Sequence, residues 1–341
     1  MPCRGWGWDR VAELLAVDNV VKHFPVLRGA ILARRVGAVH ALDDVSFTLE
    51  TGRTLALVGE SGSGKTTAAK IVLRLLEPTS GTVRYDGVDI ATLDGAAMRR
   101  LRSGVQIVFQ DPYESLNPRM RIGDIVAEPL TINDVLPTKA EALRRACELL
   151  GLVGLEPAMA SRYPHQLSSG QRQRVGIARA LGLGPKLLVC DEPVSALDVS
   201  IQAQILELLA RLQRELDLAY LFISHDLAVV RQIAERVAVM YLGKIVEEGA
   251  VGPVYETPHH PYTQALLSAV PIPDPEIERK RRRIILRGEV PSGMEPPSGC
   301  RFRTRCPIAA RVCAEEEPPL VSVGEERRAA CHFAKANPVP V

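Results

Sequence analysis

Gly59-Glu-Ser-Gly-Ser-Gly-Lys65-Thr66 fits G-x-x-x-x-G-K-[ST], the loop pattern that cradles phosphates. Upstream, Thr54-Leu-Ala-Leu-Val58 is a short apolar run suited to a buried parallel strand. Downstream, Thr67 to Leu76 carries apolar residues at helical spacing. Strand, glycine-rich turn and helix together form the context in which this pattern works. Its glycines let successive backbone N–H groups turn inward onto phosphate oxygens, and the helix N-terminus adds partial positive charge. Candidate phosphate contacts therefore run from Gly59 through Glu60, Ser61, Gly62, Ser63 and Gly64 to Thr67. Lys65 is placed to reach the β- and γ-phosphates of a nucleotide, and the Thr66 hydroxyl to ligate Mg²⁺. A plain turn that happened to hold a lysine would lack the flanking strand and helix.

Further along, Leu187-Leu-Val-Cys-Asp191-Glu192 is an apolar run ending in two carboxylates. At a strand tip beside a phosphate loop, a carboxylate such as Asp191 can hold Mg²⁺ directly or through water. Glu192 would then lie beside the γ-phosphate, placed to polarise an attacking water. Leu167-Ser-Ser-Gly-Gln171 precedes the helix-forming run Val175 to Leu181, and Ser168 is suited to cap that helix.

The 341 residues are enough for one large domain plus an appendage. Hydrophobic residues at 46% and charged residues at 24% describe a globular chain with a full core. A net charge of +2 gives no argument for nucleic acid. No uncharged apolar stretch reaches the ~20 residues of a membrane span. Asp9 and Glu13 interrupt the N-terminal apolar stretch, which argues against a secretory signal. The expected setting is the cytosol, with any membrane role exercised through partners.

Short β-branched runs, Leu15 to Val17, Val45 to Leu49 and Leu55 to Val58, make residues 14–57 β-rich, and the basic insertion Pro25 to Val39 reads as a loop. Asp86-Gly87 after Gly81 to Tyr85 signals a hairpin. Gln106 to Gln110, Leu187 to Cys190, Ala219 to Ile223 and Val237 to Met240 read as strands. Lys139 to Leu150 and Ile201 to Leu216 read as helices. This alternation predicts an α/β fold: a core of parallel strands with an antiparallel β subdomain and a helical insert. Beyond Pro258, frequent Pro, the basic run Arg279 to Arg283 and a cysteine group suggest a small separate module. The expected division is 12–257 and 258–341.

Taken together, the phosphate loop, the Asp191–Glu192 pair and Leu167-Ser-Ser-Gly-Gln171 resemble the ATP-binding-cassette ATPases over about Leu15 to Ala269. Gln110 matches the family's Q-loop glutamine, Ser195-Ala-Leu-Asp198 its D-loop and His225 its switch histidine. Phe24 is the candidate aromatic for stacking on adenine. The resemblance implies a head-to-tail dimer with two ATP molecules sandwiched between subunits, so that Ser168 and Gly170 of one subunit contact ATP bound to the other, and Asp198 of the D-loop is a further candidate nucleotide-site residue. Glu192 would orient the water, His225 and Gln110 would sense the γ-phosphate, and Gln110 would join Thr66 and Asp191 around Mg²⁺. The family usually has Leu-Ser-Gly-Gly-Gln, whereas Ser169 stands third here. Its side chain either adds a donor near the γ-phosphate or crowds the backbone approach.

Gln110 to Arg119 and Gly249 to Val270 are similar to the corresponding segments of the oligopeptide/dipeptide importers. Membership of that group implies a homologous partner ATPase, two transmembrane permeases and an extracytoplasmic peptide-binding protein. The subunit would sit on the cytoplasmic face of the membrane, with Tyr113 to Arg121 as the permease contact. An importer of nickel or another small solute shares these motifs. A soluble cassette acting on DNA or ribosomes would usually carry coiled-coil insertions or a second cassette, and this sequence has neither. Only Arg279 to Arg283 favours nucleic acid, and a solvated linker explains that run equally well.

Cys300, Cys306, Cys313 and Cys331 lack the C-x2-C spacing of zinc ribbons. Four thiolates can hold an iron–sulfur cluster or zinc, and free buried cysteines or a redox pair are the alternatives.

Overall fold

The computed structural model describes residues 12–28, 34–111, 113, 115–271, 274, 276, 279, 283–324 and 326–334. Cys3, Asp9 and the interior of the basic run 279–283 lie outside the described residues.

An antiparallel sheet in the order β2-β1-β4-β5 holds β1 (Glu13–Arg28), β2 (Arg34–Glu50), β4 (Ser80–Tyr85) and β5 (Val88–Asp89). Beside it, β3 (Thr54–Val58) enters the main sheet, and α1 (Lys65–Val72) follows the phosphate loop. Then come α2 (Gly95–Gly104), β6 (Val105–Val108) and a helical arm of α3 (Ile122–Ile132), α4 (Lys139–Leu152) and α5 (Ser169–Leu181). The remaining core consists of β7 (Leu187–Asp191), α6 (Val199–Leu216), β8 (Ala219–Ser224), α7 (Leu227–Ile233), β9 (Arg236–Tyr241) and β10 (Lys244–Ala250). The chain closes with α8 (Val251–Glu256), α9 (Pro261–Ala269), a helical turn Val312–Glu315, β11 (Val321–Gly324) and β12 (Arg327–Ala329).

Strands β6, β7, β8, β3 and β9 run parallel, which matches the expectation of a parallel core. Every residue of β3 is buried, yet successive side chains serve different cores. Ala56 and Val58 join Cys190, Phe222 and the helical arm, while Leu55 and Leu57 pack with Leu221, Val45 and Ile71 beneath the antiparallel sheet. Two-sided burial is why these strands read as unbroken apolar runs. Among the described residues, no helix is long and apolar enough to cross a membrane.

One expectation needs correction. Among its described residues the basic insertion forms a ladder rather than a loop: β1 runs to Arg28 and β2 starts at Arg34, with Phe24 opposite Val39 and Leu27 opposite Arg35. Backbone pairing across a long hairpin overrides the local Pro and Gly signals. The C-terminal part also contributes strands to the main sheet. β12 pairs with β10, aligning Ala329 with Glu247, so β11 and β12 extend the main sheet to eight strands.

Candidate active site

The phosphate loop joins β3 to α1 through three glycines at positive φ: Gly59 at +152°, Gly62 at +79° and Gly64 at +106°. At two of them space also demands glycine. A Cβ on Gly59 would lie 2.2 Å from the Met240 carbonyl oxygen, and one on Gly64 would lie 2.5 Å from that of Ala41. Lys65 arches back over the loop, its Nζ donating to the carbonyls of Gly59 (2.7 Å) and Glu60 (2.9 Å) and to Ser63 Oγ (3.3 Å). Burial pulls the Lys65 ammonium below its usual pKa, against the opposing pull of Glu192, Asp191 and Glu60. A buried cation ringed by oxygens is suited to a polyanion.

Asp191 ends β7 next to α1, where Thr66 Oγ1 donates to its Oδ1 at 3.2 Å. Burial pushes the Asp191 carboxyl up, and neighbouring Glu192 adds to the effect. Two adjacent carboxylates, one largely desolvated, with a hydroxyl alongside fit a divalent cation, which would offset their repulsion. Thr66 and Asp191 are thus brought together as the sequence suggests. Gln110 stands one step away, bonded to Glu192.

Glu192 adopts φ of +46°, a left-handed conformation costing a non-glycine residue about 1 kcal/mol. The turn holds it there: its N–H donates to Ile223 O at 3.0 Å, and its own carbonyl accepts from Ser195 Oγ at 3.1 Å. The carboxylate is engaged on both sides. Gln110 Nε2 donates to Oε2 at 3.0 Å, and His225 Nδ1 lies 3.1 Å from Oε1. Residues 82 and 33 positions away in sequence therefore converge on one acid. All three line a cleft of about 760 Å³ with Gly59 to Gly62, Gly64 to Thr67 and His40.

Comparison with known proteins identifies the family. Residues 42–195 match the ABC transporter family, and residues 246–313 match the oligopeptide/dipeptide transporter C-terminal region. The chain is 50% identical over 321 residues to the oligopeptide transport ATP-binding protein AppF of Bacillus subtilis, covering 94% of this chain and 97% of that one. It is 52% identical over 319 residues to a probable peptide ABC transporter ATP-binding protein of Sinorhizobium fredii, covering 94% and 89%. Among solved structures, a dimeric ATP-binding cassette, MJ0796, in a post-hydrolysis state with ADP and Pi superposes with a TM-score of 0.61 at 30% identity. That match covers 70% of this chain and 99% of the other. The chain belongs to the ABC transporter ATPases of the oligopeptide/dipeptide group.

The signature residues of this ATPase lie elsewhere. Ser168 caps α5 in a capping box, its Oγ accepting from Gln171 N at 3.2 Å and its N–H donating to Gln171 Oε1 at 3.0 Å. Gly170 is buried where a Cβ would meet Ile201 Cγ2 at 2.6 Å, and Ser169 opens the helix, half-buried. Asp198 precedes α6. None of Ser168, Gly170 and Asp198 lines the cleft. Phe24 is also absent from the lining. Its ring lies 5.1 Å from Lys22 Nζ, and the wall at that end is built by Val39, His40, Ala41 and Gly293.

Sequence reasoning misses the extension's part in this wall. His40 N–H donates to Gly293 O at 2.8 Å. Asp43 Oδ1 lies 2.6 Å from His23 Nε2, and Asp43 Oδ2 lies 3.1 Å from His40 Nδ1 and pairs with Arg301. Burial would raise the Asp43 carboxyl, but the bonds to His23, Arg301 and His40 prevail and hold it at about 2. Among the described residues, His23, His40 and Asp43 are the set bringing three possible metal ligands within 4.8 Å of one another. There the Arg301 guanidinium already occupies the carboxylate.

The four tail cysteines are free. Cys300 N–H donates to Cys313 O at 2.8 Å, and burial pushes the thiols of Cys300, Cys306 and Cys331 up, Cys306 to about 11. They share a neighbourhood, Cys313 helping to raise the pKa of the other three, although no three of the sulfurs lie within 4.8 Å of one another, the spacing of ligands on a single ion.

Proposed function

We propose that this chain is the ATP-hydrolysing subunit that powers peptide import through a membrane permease complex. The hydrolytic half rests on the Glu192 carboxylate, held between Gln110 and His225 in the cleft that also presents Lys65 and Thr66. In this reading the phosphates lie on the loop's inward N–H groups, with Lys65 turning from its own carbonyls to them. Glu192 orients water and takes its proton, while Gln110 and His225 couple its position to the γ-phosphate. Mg²⁺, which neutralises phosphate charge when bound, would be held by Thr66 and Asp191, with Gln110 at its edge. Phe24 remains the adenine-stacking candidate.

Ser168, Gly170 and Asp198 are assigned to ATP bound by a homologous partner ATPase, a reading supported by their lying outside the lining of this chain's cleft. Peptide cargo is supported by the names of the relatives and by the match of residues 246–313. A permease contact at Tyr113 to Arg121 is supported by the exposed rings of Tyr113 and Phe109, which lie against Arg172 and Arg179. On this reading the subunit sits at the cytoplasmic face of the membrane, below an external peptide-binding protein. An iron–sulfur cluster or zinc on Cys300, Cys306, Cys313 and Cys331 is supported by their shared neighbourhood, and metal and acid-labile sulfide analysis of anaerobically purified chain decides it.

Glu192→Gln tests the chemistry. Turnover should fall at least ~100-fold, the scale of a lost general base, with ATP affinity within a few-fold of wild type. Near-normal hydrolysis would remove Glu192 as the base.

A further inference from the structure

The extension grips the phosphate loop from behind. Arg305, with a side chain only 9% exposed, lays its guanidinium along the carboxylate of Glu60, the loop's second residue. Nη1 donates to Oε2 at 2.7 Å, and Nη2 donates to Oε1 at 3.2 Å. A second group from beyond residue 258 holds the same residue by its backbone: Glu60 N–H donates to Tyr262 Oη at 2.8 Å. Tyr262 is fully buried, edge-on to Tyr241 with centroids 4.8 Å apart and 5.4 Å from Phe302. Arg305 rides on that aromatic cluster, since its N–H donates to Phe302 O at 3.0 Å.

A carboxylate is an odd choice in a loop that must receive phosphate. Left unpaired, Glu60 would repel the incoming polyanion. Paired with Arg305 in two-point geometry it becomes nearly neutral and keeps one orientation. Lys65 Nζ rests on the Glu60 carbonyl, so a displaced Glu60 also displaces the loop's cation.

We propose that Arg305 is a positioning residue of the ATP site: it neutralises Glu60 and holds the phosphate loop ready for nucleotide. The extension is thereby a working part of the ATPase rather than an appendage. The proposal rests on the ATP-hydrolysing reading above.

The test uses full-length chain and calorimetric titration with Mg·ATP, with thermal melting alongside. Arg305→Ala should weaken ATP binding about tenfold, the cost expected for stranding a partly buried charge partner. Adding Glu60→Gln to that variant should restore affinity to within about threefold, because the stranded charge is gone. Arg305→Lys, which keeps the charge but loses the fork, should fall between. A purely structural role would leave the double variant as poor as the single one. Wild-type affinity in Arg305→Ala, or failure of Glu60→Gln to rescue, overturns the proposal. If Arg305→Ala does not fold, Arg305→Gln, which removes the charge but keeps side-chain volume, makes the same comparison with and without Glu60→Gln. Lys65→Ala separates the two readings: if it binds ATP normally, the ATP site itself is misassigned. If only Arg305→Ala binds normally, this inference alone fails.

Discussion

Asp43→Asn removes a single charge at the junction of three parts: β1 through His23, the cleft wall through His40 and the extension through Arg301. Lowering the carboxyl from 3.8 to about 2 corresponds to about 2.4 kcal/mol at 1.36 kcal/mol per pH unit. The side chain keeps 16% exposure, so solvent screening trims this to about 1–2 kcal/mol. A folded carboxyl that titrates below its free value stabilises fully above the free value, and that stability drains as pH falls through the folded one. Stability lost by Asp43→Asn should therefore be nearly constant from pH 7 to pH 5 and shrink by roughly half at pH 3. Urea unfolding of both chains at pH 7, 5 and 3 measures it. A gap that stays the same at pH 5 and pH 3 would refute the reasoning, because the cost would then be steric rather than electrostatic.

Lys65→Ala should raise the ATP dissociation constant at least ~tenfold, since a charge-assisted contact is worth about 1.5–3 kcal/mol; titration with Mg·ATP checks it. Glu247 on β10 is fully buried, and its carboxylate accepts the N–H groups of His259 at 2.7 Å and His260 at 2.9 Å. Glu247→Ala strands both donors and should cost about 2–5 kcal/mol in urea unfolding. A loss under about 1 kcal/mol would mean that water replaces the carboxylate.

What the sequence revealed divides along range. The phosphate loop, the Asp191–Glu192 strand tip and the Ser168 cap are local patterns whose physics lies within a few residues, and each stands where its spacing placed it. Lys139 to Leu150 and Ile201 to Leu216 are amphipathic enough to announce α4 and α6 to within two residues at each end. Gln110 and His225 were legible only through family likeness, since nothing in their neighbours shows that both turn to Glu192. Arg305 and Glu60 lie 245 residues apart, and no local signal links them. The Pro25 to Val39 stretch failed for the opposite reason. Its local signals were clear, but they were outweighed by backbone pairing across the hairpin.

The pairing of β12 with β10 bears on how the chain behaves in a crowded solution. Without residues 321–329, the seven-residue edge of β10 would offer unpaired N–H and C=O groups to any passing strand. With them, the sheet ends at four-residue strands on both sides, β6 and β11, too short to template much growth. The tail thus acts as a selvedge, and a truncation that spared every catalytic group would still invite self-association.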